Sequence, residues 1–206
     1  MPNEEIIGRI HRIYSALGEV ETKLDLALIK PKPIGIPGKI GIVIDFQGEY
    51  TDAQITNIAY NLIHNIANLR DNLKRWAKNN KRDVTLVDST FNNSMPLKII
   101  QDLSNADKHG YPPGKSNSGK SPKISEIMSV LHMRAGAESN SSVTFGLNLQ
   151  TQQPFVSQRG DVSTKIIITG VVTDNNDKVI GDLYQIQNDA LKSWELLLNE
   201  FGLTNG

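Results

Sequence analysis

The chain of 206 residues contains no cysteine. This absence excludes disulfide bonds and thiolate chemistry, and it suits a reducing compartment. No apolar run approaches the ~18 residues of a membrane span. The first residues are acidic at Glu4 and Glu5, where a secretory signal would be basic and then apolar. We therefore expect a soluble, cytoplasmic protein with no membrane partner.

Motifs for metals and for nucleophilic catalysis are also scarce. His11, His64 and His132 are isolated in sequence. None of them forms an i, i+3 or i, i+4 pair with another histidine or a carboxylate, as a metal site on a helix would need. The G-x-S-x-G turn of serine hydrolases is missing. We expect neither a metal nor a cofactor.

Charge is balanced overall but unevenly distributed. The chain has 22 basic and 22 acidic residues. Positions 70–134 hold twelve of the basic residues and only six of the acidic ones. Such an excess could attract the phosphates of RNA or of a nucleotide. A solvated helix end followed by a lysine-rich loop would explain it more simply, because the whole chain is neutral.

Apolar periodicity predicts four main helices, at 3–29, 52–79, 95–108 and 182–201. The first has an apolar residue at every third or fourth position from Ile6 to Ala27, which is typical of a bundle or a coiled coil. Prolines then exclude a continued helix and leave 40–46 as either a short strand or a buried loop.

Extended segments dominate the chain after residue 123. Gly, Pro, Ser and Lys make 110–123 an exposed loop by composition. Strands are predicted at 124–134, 142–149, 164–173 and 179–180. Together they indicate an antiparallel β meander over 124–181. We expect a single-domain α+β fold over 1–206, in which a small sheet covers one side of a helical bundle.

Residues 102–109 (D-L-S-N-A-D-K-H) carry the densest polar chemistry of the chain. If they are helical, Asp102, Asn105 and His109 share one face, with Lys108 beside it. As a catalytic site, His109 could act as general acid or base, Lys108 could stabilise charge on a phosphorane, and Asn105 could orient the imidazole or the scissile phosphate. These four residues are the candidate catalytic site.

The same residues also have a structural interpretation. Cations at the end of a helix favour its C-terminal dipole, and Asp102 could pair with Arg70 or Arg75 of the second helix. That helix has a face of amides and one histidine: Asn57, Asn61, His64, Asn65, Asn68 and Asn72. The face could form a polar seam against Asp102 and its neighbours, or reflect only the abundance of asparagine in this chain.

Residues 114–121 match the phosphate-binding pattern G-x-x-x-x-G-K-[ST] letter for letter. That loop needs a buried strand before it and a helix after it. Here Pro112 and Pro113 precede the pattern, which excludes a central strand, and the segment beyond Pro122 reads as extended. The sequence therefore disfavours a nucleotide at Gly114–Ser121.

Two segments carry a resemblance to known families. Residues 66–73 (I-A-N-L-R-D-N-L) and 102–109, with the tail around Asp182 and Trp194, resemble uncharacterised bacterial proteins with a D-L-x-N-x-x-K-H signature. These are more loosely similar to the HEPN class of helical bundles, found in toxin and anti-phage defence systems. The resemblance implies a helical bundle and metal-independent RNA cleavage by an arginine, an adjacent polar residue and a histidine.

Only part of that catalytic motif matches. Asn105 occupies the polar position and His109 the histidine position, but Ser104 fills the arginine slot. The missing arginine would stabilise charge in the cleavage transition state. The resemblance therefore favours the bundle more than the activity.

Three functions follow, in order of preference. The first is a non-catalytic or partner-dependent module that acts by protein association or RNA contact, with a homo-oligomer through the first helix or a protein partner. The second is a metal-independent ribonuclease centred on His109. The third is a nucleotide-binding switch at Gly114–Ser121.

Overall fold

The computed structural model describes residues 3–36, 39–110, 116–137, 140–148, 150–151 and 153–203. Five α-helices lie in this part of the chain: α1 (Asn3–Val20), α2 (Asp52–Asn79), α3 (Val84–Asn93), α4 (Met95–His109) and α5 (Leu183–Phe201). The first four strands are β1 (Glu21–Lys23), β2 (Lys30–Ile36), β3 (Lys39–Asp45) and β4 (Lys123–Ala135). The others are β5 (Ser142–Leu147), β6 (Pro154–Arg159), β7 (Val162–Thr173) and β8 (Val179–Asp182). The fold is α+β with antiparallel strands, as predicted.

Helix α1 uses its apolar stripe inside the chain. Ile6, Ile10, Ile13 and Val20 are buried in a core shared with α2 and α5. The helix ends at Val20 and does not reach residue 29 as predicted, because the next three residues pair with the edge of β7 as β1. Of the apolar residues beyond that point, Leu24 follows β1 and Ala27 lies in a short 3₁₀ turn. The stripe therefore stabilises this fold, and self-association does not have to be invoked for it.

The remaining helices begin and end with ordinary caps. Thr51 and Gln54 form a capping box at the start of α2, and Ser94 caps α4, which has Pro96 in its first turn. Asp182 caps α5, and Gly202 closes it in the left-handed conformation. These signals are local in sequence, and the predicted bounds of α2, α4 and α5 are confirmed to within a residue.

The main sheet is ordered differently from a simple meander. Strand β4 pairs with β7, from Lys123 opposite Thr173 to Ala135 opposite Val162. Strands β5 and β6 form a separate hairpin, and β6 was not predicted. Strand length explains the pairing, because β4 and β7 have 13 and 12 residues whereas β5 and β6 have six each. The other edge of β7 pairs with β1 and β8.

The segment after α1 is a second hairpin. Strand β2 pairs antiparallel with β3, which decides between the strand and the buried loop considered for 40–46. Pro31 and Pro33 lie in β2, and a two-stranded ribbon tolerates them because β2 needs partners on one side only. Among the described residues, no helix is long and apolar enough to cross a membrane.

Candidate functional site

Asp102 anchors the loop that follows α4. Its side chain is fully buried at 0% exposure. Five donors reach its two carboxylate oxygens. They are Ser116 Oγ at 2.5 Å, Asn117 N and Nδ2 at 2.7 Å each, Ser118 Oγ at 2.7 Å and Ser118 N at 2.9 Å. The carboxylate thus ties residues 116–118 to the helix.

These hydrogen bonds decide the ionisation of Asp102. Burial by itself would raise the pKa of the carboxyl group, because a charge is costly in a low-dielectric site. The donors from Ser116, Ser118 and Asn117 outweigh burial and lower the pKa below its ordinary value. Asp102 is therefore a charged, fully coordinated anchor. The predicted pairing with Arg70 or Arg75 is wrong: Arg70 donates to Asp88 at 2.7 Å and lies over the Phe91 ring.

The anchor also explains the phosphate-loop match. Gly114 and Lys115 lie outside the described residues, but 116–121 are described. The amide N–H groups of Asn117 and Ser118 donate to Asp102, and those of Lys120 and Ser121 donate to serine hydroxyls of the loop. Strand β4, and no helix, follows at Lys123. In the described part of the match, the backbone donors of residues 117, 118, 120 and 121 are thus engaged within the chain and are not available to phosphate.

The prediction of an exposed loop over 110–123 is confirmed for only part of the described segment. Asn117, Gly119 and Lys120 are exposed, whereas Ser116 is half-buried and Pro122 is buried. The difference follows from the Asp102 anchor, which composition alone does not reveal.

The other three candidate catalytic residues differ in their exposure and in the contacts that they make. Asn105 is half-buried and accepts a hydrogen bond from Gln101 Nε2 at 3.1 Å. Lys108 Nζ donates to Asn68 Oδ1 of α2 at 3.0 Å. His109 is exposed in the last turn. The structure thus brings Lys108 to the amide face of α2 and turns Asp102 to the loop.

A polar seam does join α2 to α4, through residues that were not singled out together. His64 Nδ1 lies 2.9 Å from Ser104 Oγ, and His64 Nε2 lies 2.8 Å from Asp107 Oδ2. Asn68 completes the seam through Lys108. The seam residues of α4 are therefore 104, 107 and 108, and not the predicted face of 102, 105 and 109.

The seam has the members and the hydrogen-bond distances of a serine–histidine–aspartate triad, but its serine is inaccessible. Ser104 is at 0% exposure, so no substrate can approach its hydroxyl. A working triad also pairs both ring nitrogens of its histidine, so the burial of Ser104, and not the pairing of His64, argues against nucleophilic catalysis here. Burial, and then the Asp107 carboxylate, raise the pKa of nearby Tyr60. The seam is suited to holding α4 against α2.

A basic cleft lies on another side of the molecule, between β4, β7 and α5. Its volume is about 460 Å³. Four basic side chains line it: His132, Arg134, Lys165 and Lys192. No aspartate or glutamate of the described residues is among its lining residues, but two carboxylates pair with its cations from outside the lining: Glu21 with Lys165 at 2.7 Å and Asp189 with Lys192 at 3.4 Å. Arg134, Lys165 and Lys192 still outnumber these two carboxylates, and the excess of positive charge favours anions as ligands.

Lys165 is held at the floor of the cleft. Its Nζ lies 2.7 Å from Glu21 Oε2 and donates to Tyr184 Oη at 2.5 Å, while Tyr184 donates to Glu21 Oε1 at 2.6 Å. Burial works against the charge. The bonds to Glu21 and then to Tyr184 prevail and raise the pKa of Lys165 above its ordinary value. The ammonium group is thus charged and fixed in position.

His132 lies on the same wall. Its Nδ1 is buried and has no hydrogen-bond partner among the described residues, and its ring lies 5.9 Å from that of Tyr184. Sequence reasoning missed this cleft because its residues come from three elements up to 60 positions apart, with no local motif.

A second cleft of similar volume has the opposite charge. It measures about 450 Å³, and its wall contains Glu19, Asp25, Asp45 and Glu49 with Lys23. Its carboxylates repel phosphate. The two clefts together show that the neutral net charge conceals separate acidic and basic surfaces.

Comparisons with protein-family models, with curated proteins and with solved structures find no match for this chain. Groups of three or more side chains able to hold a metal ion are not found in the part of the chain that the structure describes.

Proposed function

We propose that this protein is a non-catalytic module that contacts RNA, and that the basic cleft between β4, β7 and α5 binds the RNA phosphates. The observation that carries this proposal is the convergence of Arg134, Lys165 and Lys192 on one cavity without a lining carboxylate. Guanidinium and ammonium groups are the usual protein partners of backbone phosphates. Of protein association and RNA contact, the cleft favours the second, because the apolar stripe of α1 is already used in the core.

The contacts at the end of α4 support a non-catalytic role. A general acid or base must reach a substrate proton. Asp102 has both oxygens occupied by the loop, and the hydroxyl that His64 contacts, Ser104 Oγ, is buried out of reach of a substrate. We therefore assign the end of α4 to holding the loop and α2. On this proposal, the HEPN resemblance concerns the helical bundle and extends to no nuclease site.

One observation favours the ribonuclease alternative. His109 is exposed in the last turn of α4, beside Lys108. Lys108 could there supply the charge of the missing arginine. This alternative predicts that RNA is cut in the absence of metal and that His109→Ala stops the cutting.

The experiment is an anisotropy titration of fluorescent mixed-sequence RNA in EDTA, with RNA integrity followed on a gel. Wild type is compared with Arg134→Ala/Lys192→Ala. The matched control is Arg75→Ala/Lys78→Ala, which removes two exposed cations of α2 outside the cleft. We expect intact RNA, and affinity at least tenfold weaker in the cleft variant only. Three phosphate contacts predict a slope of roughly −2 for log K against log salt.

Equal binding by all three proteins would overturn the proposal. Cutting of RNA by wild type but not by His109→Ala would replace it with the ribonuclease alternative.

A further inference from the structure

The cations of the basic cleft stand at two depths. Lys192 is at the rim with 68% of its side chain exposed, and Arg134 is exposed as well. Lys165 is at the floor with 23% exposed. A duplex presents its phosphates on a convex cylinder and can touch only the rim. A single strand is thin enough to enter a cleft of about 460 Å³ and to bring a phosphate to Lys165.

Two side chains with amide groups, Gln185 and Asn188, line the α5 wall of the cleft. Gln185 Nε2 donates to Asp189 Oδ1 and Asn188 Nδ2 donates to the Tyr184 carbonyl, both at 2.9 Å. These bonds fix the two amides. Their oxygens, Oε1 and Oδ1, accept no hydrogen bond from any described residue.

Amide oxygens at this position match the N–H groups of nucleobases. The Watson–Crick edges of adenine, guanine and cytosine carry amino or imino donors. In a duplex these donors are paired, so only an unpaired base can present them to Gln185 and Asn188. The same cleft thus combines cations for the backbone with acceptors for unpaired bases.

We infer that the cleft takes single-stranded RNA in preference to duplex RNA, with Gln185 and Asn188 contacting the bases and Arg134, Lys165 and Lys192 contacting phosphates. This inference rests on the proposed function, since it names the form of RNA that the same cleft holds. On this inference the two amides determine specificity for the base, whereas the cations at the rim bind phosphates whatever the RNA sequence.

Two probes test it: a fluorescent 12-nucleotide RNA of mixed sequence, and the same strand annealed to its complement. Each is titrated with wild type, Gln185→Ala/Asn188→Ala and Arg134→Ala/Lys192→Ala. We expect wild type to bind the single strand about tenfold more tightly than the duplex. Loss of the amides should weaken only single-strand binding, and loss of the rim cations should weaken both. Circular dichroism melts establish that each variant is folded.

Two outcomes are distinguishable failures. Duplex binding within twofold of single-strand binding, with the cleft cations still required, overturns the single-strand preference and leaves the RNA-binding function intact. Absence of binding to either probe overturns the proposed function and this inference with it. A single-strand preference that persists unchanged in Gln185→Ala/Asn188→Ala removes the role given to the amides.

Discussion

The end of α4 and the basic cleft are both rich in polar side chains, yet they use them in opposite ways. At the end of α4, donors and acceptors meet within the chain, as five hydrogen bonds on Asp102 and two on His64 show. In the cleft, Arg134 and Lys192 line a cavity, and Gln185 Oε1 and Asn188 Oδ1 accept no hydrogen bond from any described residue. The end of α4 stands out in the sequence because its polar residues are close together. The cleft stands out only in the structure, because some of its polar groups have no partner within the described chain.

Burial decides whether a polar motif serves the fold or a ligand. A buried polar group is costly unless it is paired, so a cluster that must be buried recruits partners from its own chain. A site for an external ligand keeps donors or acceptors directed at solvent. The segment 102–109 is rich in polar residues because α4 buries Asp102 and Ser104, and each of these needs hydrogen-bond partners within the chain.

We expect the largest effect on stability from a substitution of Asp102, which ties residues 116–118 to α4. Asp102→Asn places an NH₂ group against donors that need an acceptor, so we expect the free energy of unfolding to fall by about 3 kcal/mol. Urea unfolding followed by circular dichroism measures it, with Asn105→Ala as the control expected to cost less than 1 kcal/mol. A loss below 0.5 kcal/mol in Asp102→Asn would mean that the loop is not held by this carboxylate.

The seam between α2 and α4 should show the next effect. His64→Ala removes the partner of both Ser104 and Asp107, and we expect a loss of roughly 1–2 kcal/mol in unfolding free energy without any change in RNA affinity. Asp107→Asn should cost less, because its carboxylate is 43% exposed. A double-mutant cycle should give a coupling of about 0.5–1 kcal/mol. If His64→Ala abolishes RNA binding in a folded protein, the seam belongs to a functional site after all.

In the cleft, we expect one substitution to strengthen RNA binding, in contrast to the loss expected when the rim cations are removed. Glu21 neutralises Lys165 from outside the cleft lining, so Glu21→Gln should free that charge and strengthen RNA binding by about threefold at low salt. Glu19→Gln, in the acidic cleft, removes the same charge elsewhere and is the matched control. An equal gain in both variants would indicate a general charge effect instead of a specific one at Lys165.

The smallest expected effect is on acid stability. Because the pKa of Asp102 is lowered in the folded protein, its contribution is present above the ordinary aspartate pKa of about 4 and is lost as pH falls through the lower folded value. Wild type should therefore lose stability on acidification below about pH 4 more steeply than Asp102→Asn does. Parallel curves for the two proteins would contradict this role of Asp102.

Sequence reasoning predicted what local signals encode. The caps at Thr51, Ser94 and Asp182 and the apolar periodicity place α2, α4 and α5 correctly. It failed where long-range pairing decides the outcome. Residues 21–23 leave the helical pattern because the edge of β7 offers them hydrogen bonds, and β4 bypasses β5 because only β7 matches its length.

The same distinction between local signals and long-range contacts applies to the candidate site. The face of Asp102, Asn105 and His109 follows from helical spacing, but the loop that turned Asp102 inward lies 14–16 residues further on. The cleft combines β4, β7 and α5, so no spacing within one segment could reveal it. Whether a polar residue has a structural or a functional role depends on its hydrogen-bond partner. That partner can lie far away in the sequence, where local spacing does not reveal it.

The most direct test of the account is a map of ultraviolet crosslinks between the wild-type protein and uridine-rich single-stranded RNA. Each region carries a tyrosine that can report contact, Tyr184 in the cleft and Tyr60 beside the seam. We expect crosslinked peptides from β4 and the start of α5, including Tyr184, and none from 60–64 or 105–109. Crosslinks concentrated on Tyr60 and the last turn of α4 would contradict this expectation and return the function to His109.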